Sequence, residues 1–176
     1  MIIRSWLFVP GDSERKLLKG RENEADALIL DLEDAVSNER QAVGREMVHD
    51  FLSAHRDREV QELWVRINPL DTELSLGDLA AVIPGAPDGI VVPKVHSAAG
   101  INILGNYLSA LEAITEQEVG STKIICVATE TASSLLMFHT YLENVTDRLV
   151  GMTWGGEDLA AALGAIDNKN PVTGQY

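Results

Sequence analysis

The chain alternates short apolar runs with longer stretches in which apolar and polar residues mix at helical spacing. The apolar runs are rich in Val, Ile and Leu and show little alternation, which is typical of parallel strands covered on both faces. The longer stretches predict amphipathic helices. This order of elements indicates repeated βα units.

The pattern gives six units within one domain spanning residues 1–176. The predicted strands are Ile3–Val9, Ala27–Leu32, Glu62–Ile67, Gly89–Val92, Lys123–Ala128 and Arg148–Thr153. The predicted helices are Ser13–Glu24, Asn38–His55, Leu76–Ile83, Ala98–Glu116, Thr131–Leu142 and Glu157–Leu163. Asp12 with Ser13, and Ser37, mark two helix starts because their side chains can accept hydrogen bonds from free helix amides.

Six βα units fit either a closed barrel or an open doubly wound sheet. The length of 176 residues suits the open sheet better, since a (β/α)8 barrel typically needs about 250 residues. Against the open sheet, no glycine-rich phosphate loop of the dinucleotide-binding or Walker type follows a predicted strand. The pattern alone leaves both architectures open.

Composition narrows the class of protein and its partners. A hydrophobic content of 45% and a charged content of 23% are ordinary for a soluble globular domain. The net charge of -13 argues against a nucleic-acid partner, because phosphate binding needs a basic surface. The sequence contains no apolar run of about 18 residues, so we expect no membrane span.

The opening residues and the cysteine content suggest a compartment. The chain enters a strand-like run almost at once, without the features of a signal peptide. Cys126 is the single cysteine, and its apolar neighbours indicate a buried strand rather than a reactive thiol. We therefore expect a cytoplasmic protein.

Polar residues or glycines follow almost every predicted strand. They are Pro10–Asp12, Asp31–Asp34, Arg66–Asn68, Pro93–Lys94, Thr129–Thr131 and Trp154–Asp158. The carboxyl ends of parallel strands lie on one face, so these groups should converge. Charged groups are costly to bury unless they pair or bind a ligand, so the convergence predicts an enzyme site.

Two carboxylates at neighbouring strand ends, Glu130 and Asp158, are candidate ligands for a hard cation such as Mg²⁺. Water and substrate oxygens would complete the octahedron. Each residue could instead stabilise the start of the following helix. The glycines before Asp158 favour the ligand role modestly, because they permit close backbone approach.

Arg66 ends a predicted strand and offers a planar fork for a substrate carboxylate. The alternative is an internal salt bridge to Asp31, Glu33 or Asp34, and both roles are compatible. Crowding among these three acids can raise the pKa of one and create a general acid or base. Lys94 could contact an anion or pair with a neighbouring acid.

A basic cluster in the first predicted helix is the best candidate for phosphate contact in an otherwise acidic chain. It consists of Arg15, Lys16, Lys19 and Arg21. A solvated helix face is the alternative. The four histidines show no spacing that resembles a zinc site.

The strand-end residues also carry a family resemblance. Arg4–Gly11 and Asp26–Val36 resemble the opening of the citrate lyase β-subunit family, within the HpcH/HpaI aldolase superfamily. Val65–Asn68, Val92–Lys94, Thr129–Thr131 and Gly155–Leu159 continue in the family's order. The resemblance covers essentially the whole chain and implies a (β/α)8 TIM barrel, of which this chain holds the first six βα units.

The resemblance also implies roles for individual residues. Glu130 and Asp158 would bind Mg²⁺, and Arg66 would hold the carboxylate of a keto or hydroxy acid. The backbone amides of Gly156, Glu157 and Asp158 would assist Arg66. Glu33 and Asp34 would form an acidic pair that supports Arg66 and the metal-bound water. The resemblance implies more weakly that Arg15, Lys16 and Lys19 contact coenzyme A.

The implied activity is Mg²⁺-dependent cleavage or formation of a carbon–carbon bond between a 2-keto acid, oxaloacetate or glyoxylate, and an acyl-CoA-derived enolate. The alternative is a catalytically incomplete homologue that binds metal and dicarboxylate or a partner subunit. A phosphoenolpyruvate-type barrel is a rival that the motif order and basic cluster disfavour. Six units leave apolar strand edges uncovered, so we expect a homo-oligomer, a trimer or hexamer.

Overall fold

The computed structural model describes residues 2–170 and 172–175, so the extreme residues of the predicted domain and Pro171 lie outside it. The strands are β1 Trp6–Pro10, β2 Ala27–Asp31, β3 Glu62–Arg66, β4 Gly89–Val92, β5 Lys123–Val127 and β6 Leu149–Thr153. The helices are α1 Glu14–Arg21, α2 Gln41–Ala54, α3 Ser75–Val82, α4 Ala98–Ile114, α5 Ala132–Leu136 and α6 Gly156–Leu163. Short 3-10 turns cover Asn38–Arg40, Ile83–Gly85 and Phe138–Leu142.

The strands form one parallel sheet in the order β1-β2-β3-β4-β5-β6. A doubly wound sheet reverses its strand order at a switch point, whereas a barrel keeps consecutive strands adjacent. The observed order is therefore that of a barrel wall and decides between the two architectures. Among the described residues, β1 and β6 each pair on one side only, and the sheet is open.

The sheet is apolar on both faces. Leu28 and Leu30 of β2 are fully buried in the larger core, between the sheet and the helices. Ala27 and Ile29 of the same strand belong to a smaller cluster that also includes Trp64, Val91 and Val127. Two buried faces explain why the strands read as continuous apolar runs rather than as alternating ones.

The prediction of a core role for Cys126 is confirmed. This residue is fully buried in the larger core. Burial raises the pKa of its thiol to about 11, because the charged thiolate would lose its hydration. The thiol is therefore a small apolar side chain of β5 and not a reactive group.

The first strand begins later than predicted. We expected it from Ile3, but β1 starts at Trp6. The backbone amides of Arg4 and Ser5 both donate to the carboxylate of Asp26, at 2.7 and 3.1 Å. These donors are thus occupied by a side chain just before the ladder with β2 begins.

The side-chain hydrogen bonds predicted at two helix starts are absent, so this prediction was wrong. Ser13 and Ser37 occupy N-cap positions, but neither side chain makes a capping hydrogen bond. The carboxylate of Asp12 instead accepts a hydrogen bond from Arg40 Nε at 2.5 Å. By contrast, the Thr131 side chain accepts from the amide of Ser134 at the start of α5.

The second and fifth predicted helices are each divided into two elements. A 3-10 turn, Asn38–Arg40, precedes α2, and α5 ends at Leu136 before another 3-10 turn begins at Phe138. The Ser134 hydroxyl donates to the carbonyl of Thr131 at 2.6 Å, a local bond that competes with regular helix geometry. No described helix has both the length and the apolarity needed to cross a membrane.

Candidate active site

A cleft of about 990 Å³ runs along one face of the sheet, from Trp6 at the start of β1 to the carboxyl ends of the strands. Its polar lining includes Arg66 from β3, Glu130 after β5, and Asp158 in α6. Apolar side chains, among them Phe8 and Trp154, form other parts of the wall. The predicted convergence of strand-end groups is therefore present, with a charged rim beside an apolar surface.

Arg66 is clamped by a neighbouring carboxylate. Its Nε and Nη2 donate to the two oxygens of Asp31, each at 2.7 Å, the bidentate geometry that suits a guanidinium. Asp31 also accepts from the amides of Glu33 and Ala35, which shapes the turn after β2. The same turn places Glu33 and Asp34 at 3.0 and 3.5 Å from Arg66 Nη1.

The internal salt bridge considered for Arg66 is thus present, with all three acids. Burial alone would lower the pKa of Arg66, but the bonds and charges of Asp31, Glu33 and Asp34 outweigh it and raise that pKa. The phenyl ring of Phe8 lies against the guanidinium, 4.8 Å from its centre. The side chain is therefore held in place while it lines the cleft.

Lys94 pairs with Glu33, the second of the two outcomes considered for it. Its ammonium donates to one Glu33 oxygen and lies 3.8 Å from Asp34. Burial would lower the pKa of Lys94, but the bond to Glu33 and the charges of Glu33, Asp34 and Asp158 raise it. Lys94 is therefore a cation of the site and not a neutral amine nucleophile.

The pKa of Glu33 is raised. Burial is the largest cause, and the bond from Lys94 and the charge of Arg66 only partly offset it. The side chain is only 5% exposed, so the charged form is poorly hydrated. The charge of Asp34 adds to the rise, but burial rather than the predicted crowding of acids is its main cause.

Glu130 is a buried carboxyl without a cationic side chain in hydrogen-bonding contact. It accepts a hydrogen bond from the backbone amide of Lys94. Burial raises the pKa of Glu130 to about 7; the Lys94 amide opposes this rise, and the charges of Glu33 and Asp158 add to it. A group in this state favours a positive ligand, because a cation would stabilise its ionised form.

The loop between β6 and α6 brings Asp158 to the same cleft. The amide of Gly155 donates to Thr129 Oγ1 at 2.8 Å, which ties this loop to the end of β5. A Cβ at Gly155 would lie only 2.4 Å from Glu130 Cγ, so the close approach requires glycine. The first-turn amides of α6, at Gly156 to Asp158, have no acceptors within the helix, and these three residues line the same cleft as Glu130.

The charges at the strand ends do not balance. Five carboxylates, those of Asp31, Glu33, Asp34, Glu130 and Asp158, surround two cations, Arg66 and Lys94. When all are ionised, three negative charges remain in a partly buried site, which is unfavourable unless a cation is bound. The donor set of Glu130 and Asp158 fits a divalent cation with oxygen ligands.

Two carboxylates alone do not complete the coordination shell of a divalent cation. Within the described part of the chain, no three His, Cys, Asp or Glu side chains are grouped so as to hold a metal ion. A cation held by Glu130 and Asp158 would therefore need further oxygen ligands, from water and substrate. The metal role of the pair remains a prediction.

The basic residues of α1 differ in their surroundings. Arg15, Lys16 and Lys19 are exposed on α1, whose first residue follows the β1 strand end. Arg21 lies at the other end of the helix and donates to Gln61 and to the carbonyl of Asp57. Arg21 is therefore part of the scaffold, while contact of the other three with phosphate stays a prediction.

Sequence reasoning missed two features of the site. The sequence suggested that Lys94 could pair with a neighbouring acid, but it did not identify Glu33 as the partner. Thr129 was read only as part of a motif, yet its hydroxyl anchors the loop that carries Asp158. A polar residue directly after an apolar strand was the available signal in both cases.

Sequence comparisons identify relatives of this chain. The family model described as HpcH/HpaI aldolase/citrate lyase matches residues 4–172. Citrate lyase subunit beta of Escherichia coli K12 is 32% identical over 160 residues, 91% of this chain and 52% of that protein. A (3S)-malyl-CoA thioesterase of Cereibacter sphaeroides is 34% identical over 166 residues, 92% of this chain and 52% of its own. The chain thus spans about half the length of the curated relatives it matches.

Solved structures of CitE from Mycobacterium tuberculosis are similar in fold. The citrate lyase beta subunit complexed with oxaloacetate and magnesium superposes with a TM-score of 0.72 at 30% identity, covering 97% of this chain and 66% of that one. A further structure of CitE contains magnesium, acetoacetate and coenzyme A, and matches with a TM-score of 0.70 at 30% identity, over 97% of this chain and 55% of that chain. The family match and these likenesses agree with the motif order in the sequence and with the TIM-barrel type of fold. The chain belongs to the HpcH/HpaI aldolase/citrate lyase family.

Proposed function

We propose that this chain carries the metal and keto-acid site of a Mg²⁺-dependent carbon–carbon lyase. The observation that carries the proposal is the excess of carboxylates over cations at the strand ends, next to a clamped arginine. A site with this charge repels a keto acid unless a divalent cation is bound with it. The relatives from M. tuberculosis, which contain magnesium with a keto acid, support the same assignment.

In this proposal Glu130 and Asp158 hold the cation. When bound, Mg²⁺ supplies positive charge that stabilises negative charge developing on the keto acid's oxygens. The role of the protein is to keep both carboxylates at the cleft, through the Lys94 amide for Glu130 and the β6–α6 loop for Asp158.

Arg66 and the start of α6 bind the keto acid's carboxylate. Asp31 occupies Nε and one Nη2 hydrogen, so the Nη1 side, near Glu33 and Asp34, is available for exchange with a substrate anion. The first-turn amides of Gly156, Glu157 and Asp158 add donors and the positive end of the helix dipole. Together they fix the orientation of the substrate beside the cation.

Glu33 is the proposed proton-transferring group. Its raised pKa keeps it closer to neutral pH than an exposed carboxyl, which suits a general acid or base. Asp34, whose side chain is 59% exposed, lies beside it and supports Arg66 from the solvent side. The carbon–carbon bond would be formed or broken next to an enolate stabilised by this electrostatic environment.

The proposed second substrate is an acyl-CoA. Arg15, Lys16 and Lys19 extend along α1 from the rim of the fold and are exposed. They would contact the phosphates of coenzyme A, since they form a local basic surface on an acidic protein. The M. tuberculosis relative that contains coenzyme A supports this class of substrate.

Two alternative functions differ from the lyase in the products that they would give. Thioester hydrolysis is favoured by the thioesterase among the relatives and would release free coenzyme A without changing the carbon skeleton. A homologue that only binds metal and dicarboxylate would give no product. Cytoplasmic location and assembly into a trimer or hexamer remain predictions.

The test is incubation of the chain with acetyl-CoA or propionyl-CoA and glyoxylate or oxaloacetate, in Mg²⁺ and in EDTA. Mass spectrometry follows the thioesters and their acids. A new hydroxyacyl-CoA or its acid that requires Mg²⁺ and disappears in Asp158→Asn is the expected result. Free coenzyme A alone would identify a thioesterase, and binding without any product would identify the catalytically incomplete homologue.

A further inference from the structure

Lys94 has an unusual backbone. Its φ of 51° lies in the left-handed region, which a residue with a side chain adopts at a cost of about 1 kcal/mol or more. It directly follows Pro93 at the end of β4, between the strand ends that carry Arg66 and Glu130. Such a conformation persists when the surrounding contacts require it, so its contacts indicate what it does.

The conformation lets one residue serve two carboxylates. The backbone amide of Lys94 donates to Glu130, and its side-chain ammonium donates to Glu33 Oε1. Lys94 thus connects the proposed cation ligands with the acids around Arg66. The amide contact is independent of the side chain, so the two functions can be separated by substitution.

The other oxygen of Glu33 competes for Arg66. Glu33 Oε2 lies 3.0 Å from Arg66 Nη1, on the side of the guanidinium not taken by Asp31. It makes no hydrogen bond of good geometry there and is buried. Without the Lys94 ammonium, a buried Glu33 carboxylate would have Arg66 as its nearest remaining cation.

We propose that Lys94 is a positioning residue: its ammonium holds Glu33 Oε1 and so limits Glu33 to a single contact with Arg66 Nη1, at 3.0 Å, which the keto acid's carboxylate can replace. The inference rests on the proposed function and adds to it a residue that tunes substrate affinity without contacting the cation through its side chain. Its removal should affect the two ligands in opposite directions. Loss of a positive charge strengthens attraction for a cation and weakens attraction for an anion.

The test compares Lys94→Met with wild type by calorimetry. Methionine keeps the Cβ and the amide, so the backbone cost and the Glu130 contact are retained. We expect oxaloacetate affinity at saturating Mg²⁺ to fall roughly 10- to 100-fold, as for loss of one partly screened charge interaction. The affinity for Mg²⁺ alone should stay the same or increase. Lys123→Met, which removes an exposed lysine from the opposite end of β5, is the matched control.

A second substitution distinguishes positioning from general damage. In Lys94→Met/Glu33→Gln the competing charge is gone, so oxaloacetate affinity should recover most of the loss. Oxaloacetate binding unchanged in Lys94→Met, or a loss that Glu33→Gln does not repair, would overturn the inference. Weakening of both ligands together would also contradict it, because that is the result of a distorted site.

Urea unfolding of the metal-free protein tests the Lys94–Glu33 pairing without any ligand, so its outcome does not depend on the proposed function. Lys94→Met should lower the midpoint of unfolding, and Glu33→Gln in the same chain should restore most of it, since the buried carboxylate no longer lacks its partner. Additive effects of the two substitutions would overturn the pairing. Failure of wild type to bind oxaloacetate with Mg²⁺ would instead refute the proposed function.

Discussion

At the scale of single residues, the buried carboxylates of the site are unfavourable in their ionised form. Glu130 is 6% exposed, and burial raises its pKa to about 7. In the unfolded chain the same carboxyl ionises at an ordinary pKa near 4.5. Above the unfolded pKa, ionisation favours the unfolded chain, so Glu130 destabilises the metal-free fold at neutral pH.

Glu130→Gln should therefore stabilise the metal-free protein while it abolishes cation binding. The amide oxygen can still accept from the Lys94 amide, and the uncompensated charge is removed. We expect a gain of about 1–3 kcal/mol in the free energy of unfolding at pH 8 in EDTA, shrinking to nothing below about pH 4.5. Addition of Mg²⁺ should stabilise wild type and leave the variant unchanged.

Denaturant unfolding at both pH values measures this. Glu157→Gln serves as the control, because its side chain is largely exposed and its proposed role uses only the backbone amide. A Glu130→Gln protein that is less stable than wild type in EDTA at pH 8 would contradict the account of the buried charge.

The residues of the site were identifiable from sequence, but their contacts were not. Arg66, Glu130 and Asp158 follow apolar strands, and that position alone predicted their convergence. The partner of Arg66 could not be chosen among Asp31, Glu33 and Asp34, since all three lie within four positions. The structure gives the bidentate contact to Asp31, whose register places it directly beside Arg66.

At the scale of secondary-structure elements, the close approach of the β6–α6 loop to β5 assembles the carboxylate pair. Gly155 permits it, because a Cβ there would lie 2.4 Å from Glu130 Cγ and 2.9 Å from Val127 Cγ1. The first of these atoms belongs to a proposed cation ligand. A methyl group at this position would thus displace Glu130 without altering its chemistry.

We expect Gly155→Ala to weaken Mg²⁺ binding by roughly tenfold or more, and to lower the free energy of unfolding by about 1–3 kcal/mol from overpacking. Calorimetry and urea unfolding measure the two effects. Gly100→Ala is the matched control: its Cβ would meet side chains only at 3.7 and 3.8 Å within α4. That variant should be neutral or more stable, since alanine favours helix. Equal Mg²⁺ affinity in Gly155→Ala and wild type would argue against this assembly.

The elements themselves were predicted well where burial decides them. The strand Gly89–Val92 has the predicted bounds, because its apolar residues are all buried and are followed by proline. Ends that depend on side-chain hydrogen bonds were less predictable. The carboxylate of Asp26 accepts hydrogen bonds from the amides before β1, and the Ser134 hydroxyl of α5 donates to a nearby carbonyl. The spacing of apolar residues does not predict such side-chain hydrogen bonds.

At the scale of the whole molecule, a buried ion pair lies at the amino ends of the strands, opposite the proposed site. Glu112 of α4 is fully buried and forms two hydrogen bonds with Arg148, just before β6, at 2.8 and 2.7 Å. It also accepts from the amides of Gly120 and Thr122, just before β5. Burial would raise the pKa of Glu112, but these donors lower it to about 2.

This pair predicts a specific acid sensitivity. A carboxyl with a lowered folded-state pKa contributes stability above its unfolded value near 4.5, and the contribution is lost as pH falls toward 2. Glu112→Gln should cost about 3 kcal/mol at pH 7, since it leaves Arg148 buried without its counter-charge, and the difference from wild type should narrow toward pH 2. Glu118→Gln, an exposed acid nearby, should have little effect. A pH-independent difference would contradict this assignment.

The apolar pattern alone left two architectures possible, a barrel and a doubly wound sheet. Alternating βα units are common to barrels and doubly wound sheets, and both bury their strands on two faces. The consecutive strand order distinguishes them and depends on which strands pair, a property that the local sequence does not encode. The family motifs supplied the missing information, since they are tied to one fold.

The most direct test of the central claim is calorimetric titration of oxaloacetate into the chain, with Mg²⁺ and with EDTA, in wild type and Asp158→Asn. We predict binding by wild type with Mg²⁺ only, and none by the variant in either buffer. Binding of equal strength in EDTA, or in Asp158→Asn with Mg²⁺, would contradict a keto-acid site that depends on a cation held by Glu130 and Asp158.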